Sequence, residues 1–95
     1  MTDAAAKSTA PALEILYFAW VREKIGRPGE TVSPPREVAT IADLVRWLAA
    51  RGPEYAEAFA RPEVVRAAID KTHVKASAPL AGAREVAFFP PVTGG

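Results

Sequence analysis

Read as a pattern of apolar and polar positions, the chain is quiet for its first twelve residues and then changes abruptly. Met1 to Ala12 holds small and polar residues with no sustained apolar run, and is expected to form a disordered extension with neither a signal-peptide core nor a membrane segment. From Leu13 the run Leu-Glu-Ile-Leu-Tyr-Phe-Ala-Trp-Val is rich in β-branched and aromatic residues and predicts a first strand over 13–21. Alternation would send Leu13, Ile15, Tyr17, Ala19 and Val21 to the core and Leu16, Phe18 and Trp20 to the opposite face. Both faces are then apolar, so the second is either covered by another element or offered to a partner.

The turn signal Arg27-Pro28-Gly29 precedes Glu30 to Ser33, which reads as a short strand closing a hairpin. The clearest helix starts at Thr40, an N-cap with Asp43 in the first turn. It carries Ile41, Leu44, Val45 and Leu48 at three-to-four spacing, with Trp47 extending the stripe, and ends at Gly52-Pro53. Tyr55, Ala56 and Phe59 suggest a short second helix limited by Pro62. Strands are expected over Val64 to Ile69 and His73 to Ala76, around a tight turn at Asp70 to Thr72. A loop at Pro79 to Gly82 leads to a final strand, Glu85 to Phe89. Hairpin, helix, then three strands, with the long strands at the two ends of the chain, is the order of a β-grasp domain. The expected fold is α+β and ubiquitin-like: a mixed sheet of four to five strands with one main helix packed on one face.

Composition narrows the function classes. The 95 residues suit one small domain, expected over 13–89, and domains of this size bury only about 60% of the surface their unfolded chains expose. There is no cysteine, so disulfides, thiolate metal sites and a cysteine nucleophile are excluded; a reducing compartment fits, and the expected location is cytoplasmic. Twelve Lys and Arg are interspersed with eleven acids, leaving a net charge of +1 and no basic stripe of the kind nucleic-acid binders carry. His73 is the only histidine and has no Cys or second His to share a metal, so no metal site is expected.

The candidate chemistry sits at the end. Pro90-Pro91-Val92-Thr93-Gly94-Gly95 follows the last strand as a tail poor in side chains. Its prolines fix φ and remove two backbone donors, so the chain leaves the sheet instead of adding another strand. Gly94 and Gly95 have no Cβ and can enter a slot too narrow for other residues. Six extended residues span roughly 20 Å, enough to carry the terminal carboxylate into a partner's active site. Many glycine-rich termini are idle, and Gly-Gly alone leaves that alternative open.

The strings Glu85-Val86-Ala87-Phe88-Phe89-Pro90-Pro91-Val92-Thr93-Gly94-Gly95 and Leu16-Tyr17-Phe18-Ala19-Trp20-Val21-Arg22-Glu23 resemble the closing and opening strands of the MoaD family, the small subunits of molybdopterin synthase and ubiquitin-like sulfur carriers. The resemblance extends over 13–95. It implies that an E1-like (MoeB-like) adenylyltransferase uses ATP to adenylate Gly95, and that a sulfur donor enzyme converts the adenylate to a thiocarboxylate. No cofactor is expected to stay bound. The tail, Pro90 to Thr93 with Gly94 and Gly95 at its reactive end, would insert into the synthase large subunit (MoaE-like). There the thiocarboxylate would give sulfur to cyclic pyranopterin monophosphate within a heterotetramer, the large subunit supplying the catalytic side chains. By the same resemblance Phe18, Arg22 and Phe89 form the docking face, against the alternative that the two phenylalanines are core. His73 departs from the resemblance, since the family has an apolar contact residue there, and so does the extension 1–12. Three other readings use the same fold: a thiamine sulfur carrier, a ubiquitin-like protein modifier, and a binding module with an idle terminus.

Overall fold

The structure, a computed structural model, describes residues 12–91. The proposed N-terminal extension, apart from Ala12, and Val92, Thr93, Gly94 and Gly95 lie outside the described residues. Five strands form one mixed sheet in the order β2-β1-β5-β3-β4: β1 (Leu13–Tyr17), β2 (Gly29–Val32), β3 (Arg66–Ile69), β4 (Thr72–Val74) and β5 (Glu85–Phe89). The first and last strands lie side by side and parallel in the centre, Ile15 opposite Val86 and Tyr17 opposite Phe88. The pairs β1–β2, β3–β5 and β3–β4 are antiparallel. This is the expected β-grasp sheet, at the upper end of the predicted strand number.

One face of the sheet carries the core. Leu13, Ile15, Tyr17, Val86 and Phe88 point into it and meet Leu44 and Leu48 of α2 (Ile41–Ala49), with Tyr55 and Ala58 of α3 (Pro53–Ala58) and Phe59 just beyond. Phe88 anchors this layer: its ring lies 6.4 Å from that of Tyr17 and 5.2 Å from that of Phe59, edge-on to the latter. Fully burying each such side chain contributes about 1.5–3 kcal/mol.

Helix α2 begins at the expected cap. Thr40 accepts a hydrogen bond from the Asp43 N–H at 3.2 Å while the Asp43 carboxylate accepts from the Thr40 N–H, closing a capping box. The Ile41 and Ala42 N–H groups donate to the carbonyls of Ala78 and Ala76, so the orphan donors of the helix start are spent on the segment after β4. Between β3 and β4 the chain turns at Asp70 and Lys71, both at positive φ (48° and 74°), as a two-residue hairpin of primed geometry requires. Asp70 is fixed there by its carboxylate, which accepts from the Glu85 N–H at 3.0 Å and the Arg84 N–H at 3.1 Å.

The expected first strand, 13–21, is too long. β1 stops at Tyr17, and α1 (Ala19–Ile25) follows after Phe18. The parallel ladder ends because its partner runs into Pro90 and Pro91, which have no N–H to give; the last bond joins the Phe18 N–H to the Phe88 carbonyl at 3.0 Å. Ala19 then takes φ 54° and the chain coils. Val21 reaches the core, but from the helix together with Ile25, four residues on; Ala19 is exposed. Gly26, at φ 89°, closes α1 by donating its N–H to the Arg22 carbonyl at 2.8 Å.

Smaller boundaries also move. α2 ends at Ala49, and Gly52-Pro53 opens α3 instead of closing α2, proline being well suited to a first helical position. Pro62–Val64 is a 3₁₀ turn, so β3 begins at Arg66, and β4 ends at Val74 before the chain departs to pack on the start of α2.

Candidate functional site

The two faces of the sheet differ in kind. Because Ile15, Tyr17, Val86 and Phe88 point inward, Leu16 and Phe18 after it, Ala87 and Phe89 of β5, Arg66 and Ala68 of β3, and His73 of β4 all lie on the other side. The described helices pack on the core side, so no described helix covers this face. Its middle is lined by small buried residues, Ala68 and Ala87. Larger apolar groups stand beside them: Leu16 and Phe89 are half-buried, and Phe18 is 46% exposed, the one large exposed apolar side chain among the described residues.

Phe18 is held outward by construction. Its N–H is pinned to β5, its φ and ψ are extended, and the bend at Ala19 starts the helix immediately afterwards. Arg22 follows one turn on; its N–H donates to the Phe18 carbonyl at 3.3 Å and its side chain is exposed. Phe89 is the last residue of β5, directly before the half-buried Pro90 and Pro91. Phe18 and Phe89 thus stand at the ends of two neighbouring strands, on the edge where the tail leaves. The reading of Phe18 as core does not hold for this fold. Phe88, not Phe89, is the core phenylalanine of the pair.

A second constellation lies on the core side, and its meaning is not readable from spacing. Glu30 Oε2 accepts from the hydroxyls of Tyr17 and Tyr55, each at 2.7 Å, and Oε1 accepts from Arg27 at 3.1 Å and Arg51 at 3.3 Å. Arg51 in turn lies over the rings of Trp47 (5.3 Å) and Tyr55 (5.4 Å). Burial pushes the Glu30 carboxyl up, but the two phenols and two guanidiniums outweigh it and leave the group below its usual range. Burial and the Glu30 carboxylate together raise the Tyr17 phenol far above its ordinary value. Every oxygen of this carboxylate is engaged within the protein, so it ties β2 and the α1–β2 turn to α3 and is not placed to act on a substrate.

Among the described residues no group of three or more His, Cys, Asp or Glu could hold a metal ion, and no helix is long and apolar enough to cross a membrane. A groove of about 520 Å³ between Pro34–Ala39 and Leu80–Arg84 has mostly apolar walls with Arg36 and Arg84, and no carboxylate lines it.

Comparison with known proteins places the chain in a family. Residues 15–95 match the ThiS family. The chain belongs to that family. Within it, the chain is 37% identical over 83 residues to the molybdopterin synthase sulfur carrier subunit of Escherichia coli, covering 87% of this chain and 99% of that protein. The subunits of the same name from Mycosarcoma maydis (37%, 90% and 95% covered) and Haemophilus influenzae (34%, 87% and 99%) are also similar. The fold recurs in the small archaeal modifier protein SAMP1 of Haloferax volcanii (TM-score 0.67, 22% identity, 90% of this chain and all of that one). It recurs again in a molybdopterin converting factor subunit 1, so described provisionally, from Pyrococcus furiosus (TM-score 0.68, 24%, 85% and 98%). This ThiS-family chain is a β-grasp sulfur carrier.

Proposed function

We propose that this sulfur carrier is the small subunit of a molybdopterin synthase, working through a thiocarboxylate on Gly95. The observation that supports this most strongly is the closing strand: Phe88 is locked in the core, Phe89 stands at the edge of an exposed apolar face, and the next residues are Pro90-Pro91-Val92-Thr93-Gly94-Gly95. The match to molybdopterin synthase sulfur carrier subunits runs through nearly their whole length.

The chemistry follows from the state of the terminus. An α-carboxyl titrates near 3.5, so at neutral pH it is an anion and a poor electrophile. An E1-like enzyme would use ATP to activate it: a Gly95 carboxylate oxygen attacks the α-phosphorus and pyrophosphate leaves. A sulfur donor's persulfide then attacks the acyl carbon and AMP leaves; a thiol cleaves the S–S bond of the resulting acyl disulfide, leaving the C-terminal thiocarboxylate on Gly95 and a disulfide on the donor. In the large subunit this sulfur passes to cyclic pyranopterin monophosphate, and water restores the carboxylate. Phe18, Arg22 and Phe89 are the docking residues in this scheme. Pro90 and Pro91 stiffen the inserted arm, Val92 and Thr93 continue it into the partner's slot, and glycines at 94 and 95 let the terminus reach the reacting centre.

Intact-mass measurement after incubation with an E1-like adenylyltransferase, ATP and a sulfide donor tests the first half. The expected product is the full chain with one carboxylate oxygen replaced by sulfur, absent when Gly94 and Gly95 are deleted. A chain that stays unmodified with an adenylyltransferase competent on its own carrier would contradict the proposal.

A further inference from the structure

The register of β3, β4 and β5 brings two polar groups to the root of the tail. Arg66 pairs with Phe89, and Ala68 pairs with Ala87 on one side and His73 on the other, so all of these lie on the open face. Ala68 ends at its Cβ and leaves room above it. The His73 imidazole crosses that space and lies 5.1 Å from the Phe89 ring, tilted by 48°. Arg66, the register partner of Phe89, and the His73 imidazole, in contact with its ring, therefore both lie beside the residue from which the tail departs, on its β3–β4 side.

Among the described residues no side-chain hydrogen bond engages either group. Both side chains belong to exposed residues, and Arg66 makes no ion pair among the described residues. The acidic residues on this face, Glu14 and Glu85, are register partners across β1 and β5 at the far end of the sheet. Four residues separate Glu85 from Phe89, roughly 13 Å along the strand. A protein that receives the tail and covers Phe89 must also cover His73 and Arg66. Burying a guanidinium without a counter-charge is costly, and a buried imidazole N–H needs an acceptor. One carboxylate answers both needs, because the planar guanidinium fork matches a carboxylate in bidentate fashion and leaves oxygen lone pairs for the imidazole.

We propose that His73 and Arg66 form a receptor for an Asp or Glu side chain of the protein that accepts the tail, which on the sulfur-carrier reading above is the synthase large subunit. This makes the docking face two-part: an apolar anchor at Phe18 and Phe89, and a polar latch beside it that selects partners bearing an acid at the mouth of their slot.

The test measures the Kd of the full chain for a molybdopterin synthase large subunit from the same cell, at low and raised salt, for the wild type, Arg66→Gln, His73→Leu and His73→Asn. Thermal melting of each variant serves as control, since both side chains stand outside the core. Arg66→Gln should weaken binding about tenfold or more and flatten its salt dependence. His73→Leu should weaken it as well, and His73→Asn, which keeps an N–H donor, should recover most of the loss. A face that docks by apolar contact alone gives the reverse order, with His73→Leu binding as tightly as the wild type or more so. Either substitution leaving Kd unchanged overturns the paired receptor while the carrier reading stands. A wild-type chain that fails to bind the large subunit at any salt overturns both.

Discussion

Phe18 shows how much a single backbone angle decides. Had Ala19 continued the strand, Phe18 would be one more residue in a ladder; at φ 54° the chain turns away and leaves the phenyl ring 46% exposed at the sheet edge. For a non-glycine residue that conformation carries a cost of order 1–2 kcal/mol. Strain tolerated next to an exposed aromatic is consistent with a surface shaped for contact. Phe18→Asp should therefore leave the melting temperature almost unchanged and reduce affinity for the large subunit by roughly 2–4 kcal/mol, the range of a central aromatic anchor. Calorimetric titration beside a thermal melt separates the two effects. Unchanged affinity with an intact fold would remove Phe18 from the docking face.

At the scale of elements, what could be read in advance was what local pattern dictates. The capping box at Thr40 and Asp43, the three-to-four stripe of α2 and the apolar run of β5 each depend on neighbours in sequence, and each forms where expected. Helix α1 was hidden because its first three residues, Ala19, Trp20 and Val21, continue the apolar run of β1. Val21, Ile25 and Gly26 carried the signal of a short helix with a glycine cap, but alternation over Leu13 to Tyr17 masked it. The Glu30 cluster was illegible for another reason. Its partners are 13, 21 and 25 residues away in sequence, apart from Arg27, and only the fold assembles them.

That cluster couples stability to pH on both sides. The Glu30 carboxyl titrates lower in the folded chain than in the unfolded one, so its contribution is complete above the ordinary carboxylate range, about 4.3, and is lost as pH falls through the folded value. The Tyr17 and Tyr55 phenols are raised, so theirs is complete below the ordinary value of about 10 and lost as pH rises beyond it. Glu30→Gln should cost about 3 kcal/mol at neutral pH, because it leaves two guanidiniums and two phenols without their shared anion. It should also flatten the decline of melting temperature in acid. A wild type and variant with parallel pH profiles would show that this carboxylate is not what couples folding to protons.

For the whole molecule, the order of the chain explains the division of labour. The first and last strands pair in the centre of the sheet, so the C-terminus leaves from the most constrained strand and not from a fraying edge. Core residues fix Phe88, and Phe88 fixes the aim of Phe89, from which Pro90 and Pro91 continue. The chemistry proposed for the tail rests on glycine and proline, whose effects are carried by the backbone itself. The receptor proposed at His73 and Arg66 could not be read from the sequence, since it needs the β3–β4–β5 register to bring the two residues beside Phe89.

The most direct test of the central claim is to load the chain as its Gly95 thiocarboxylate, mix it with a cognate large subunit and cyclic pyranopterin monophosphate, and measure dithiolene product. Product that vanishes when Gly94 and Gly95 are deleted is the predicted result. A fully thiocarboxylated chain that yields none with a competent large subunit would contradict the synthase role and send its sulfur to another acceptor.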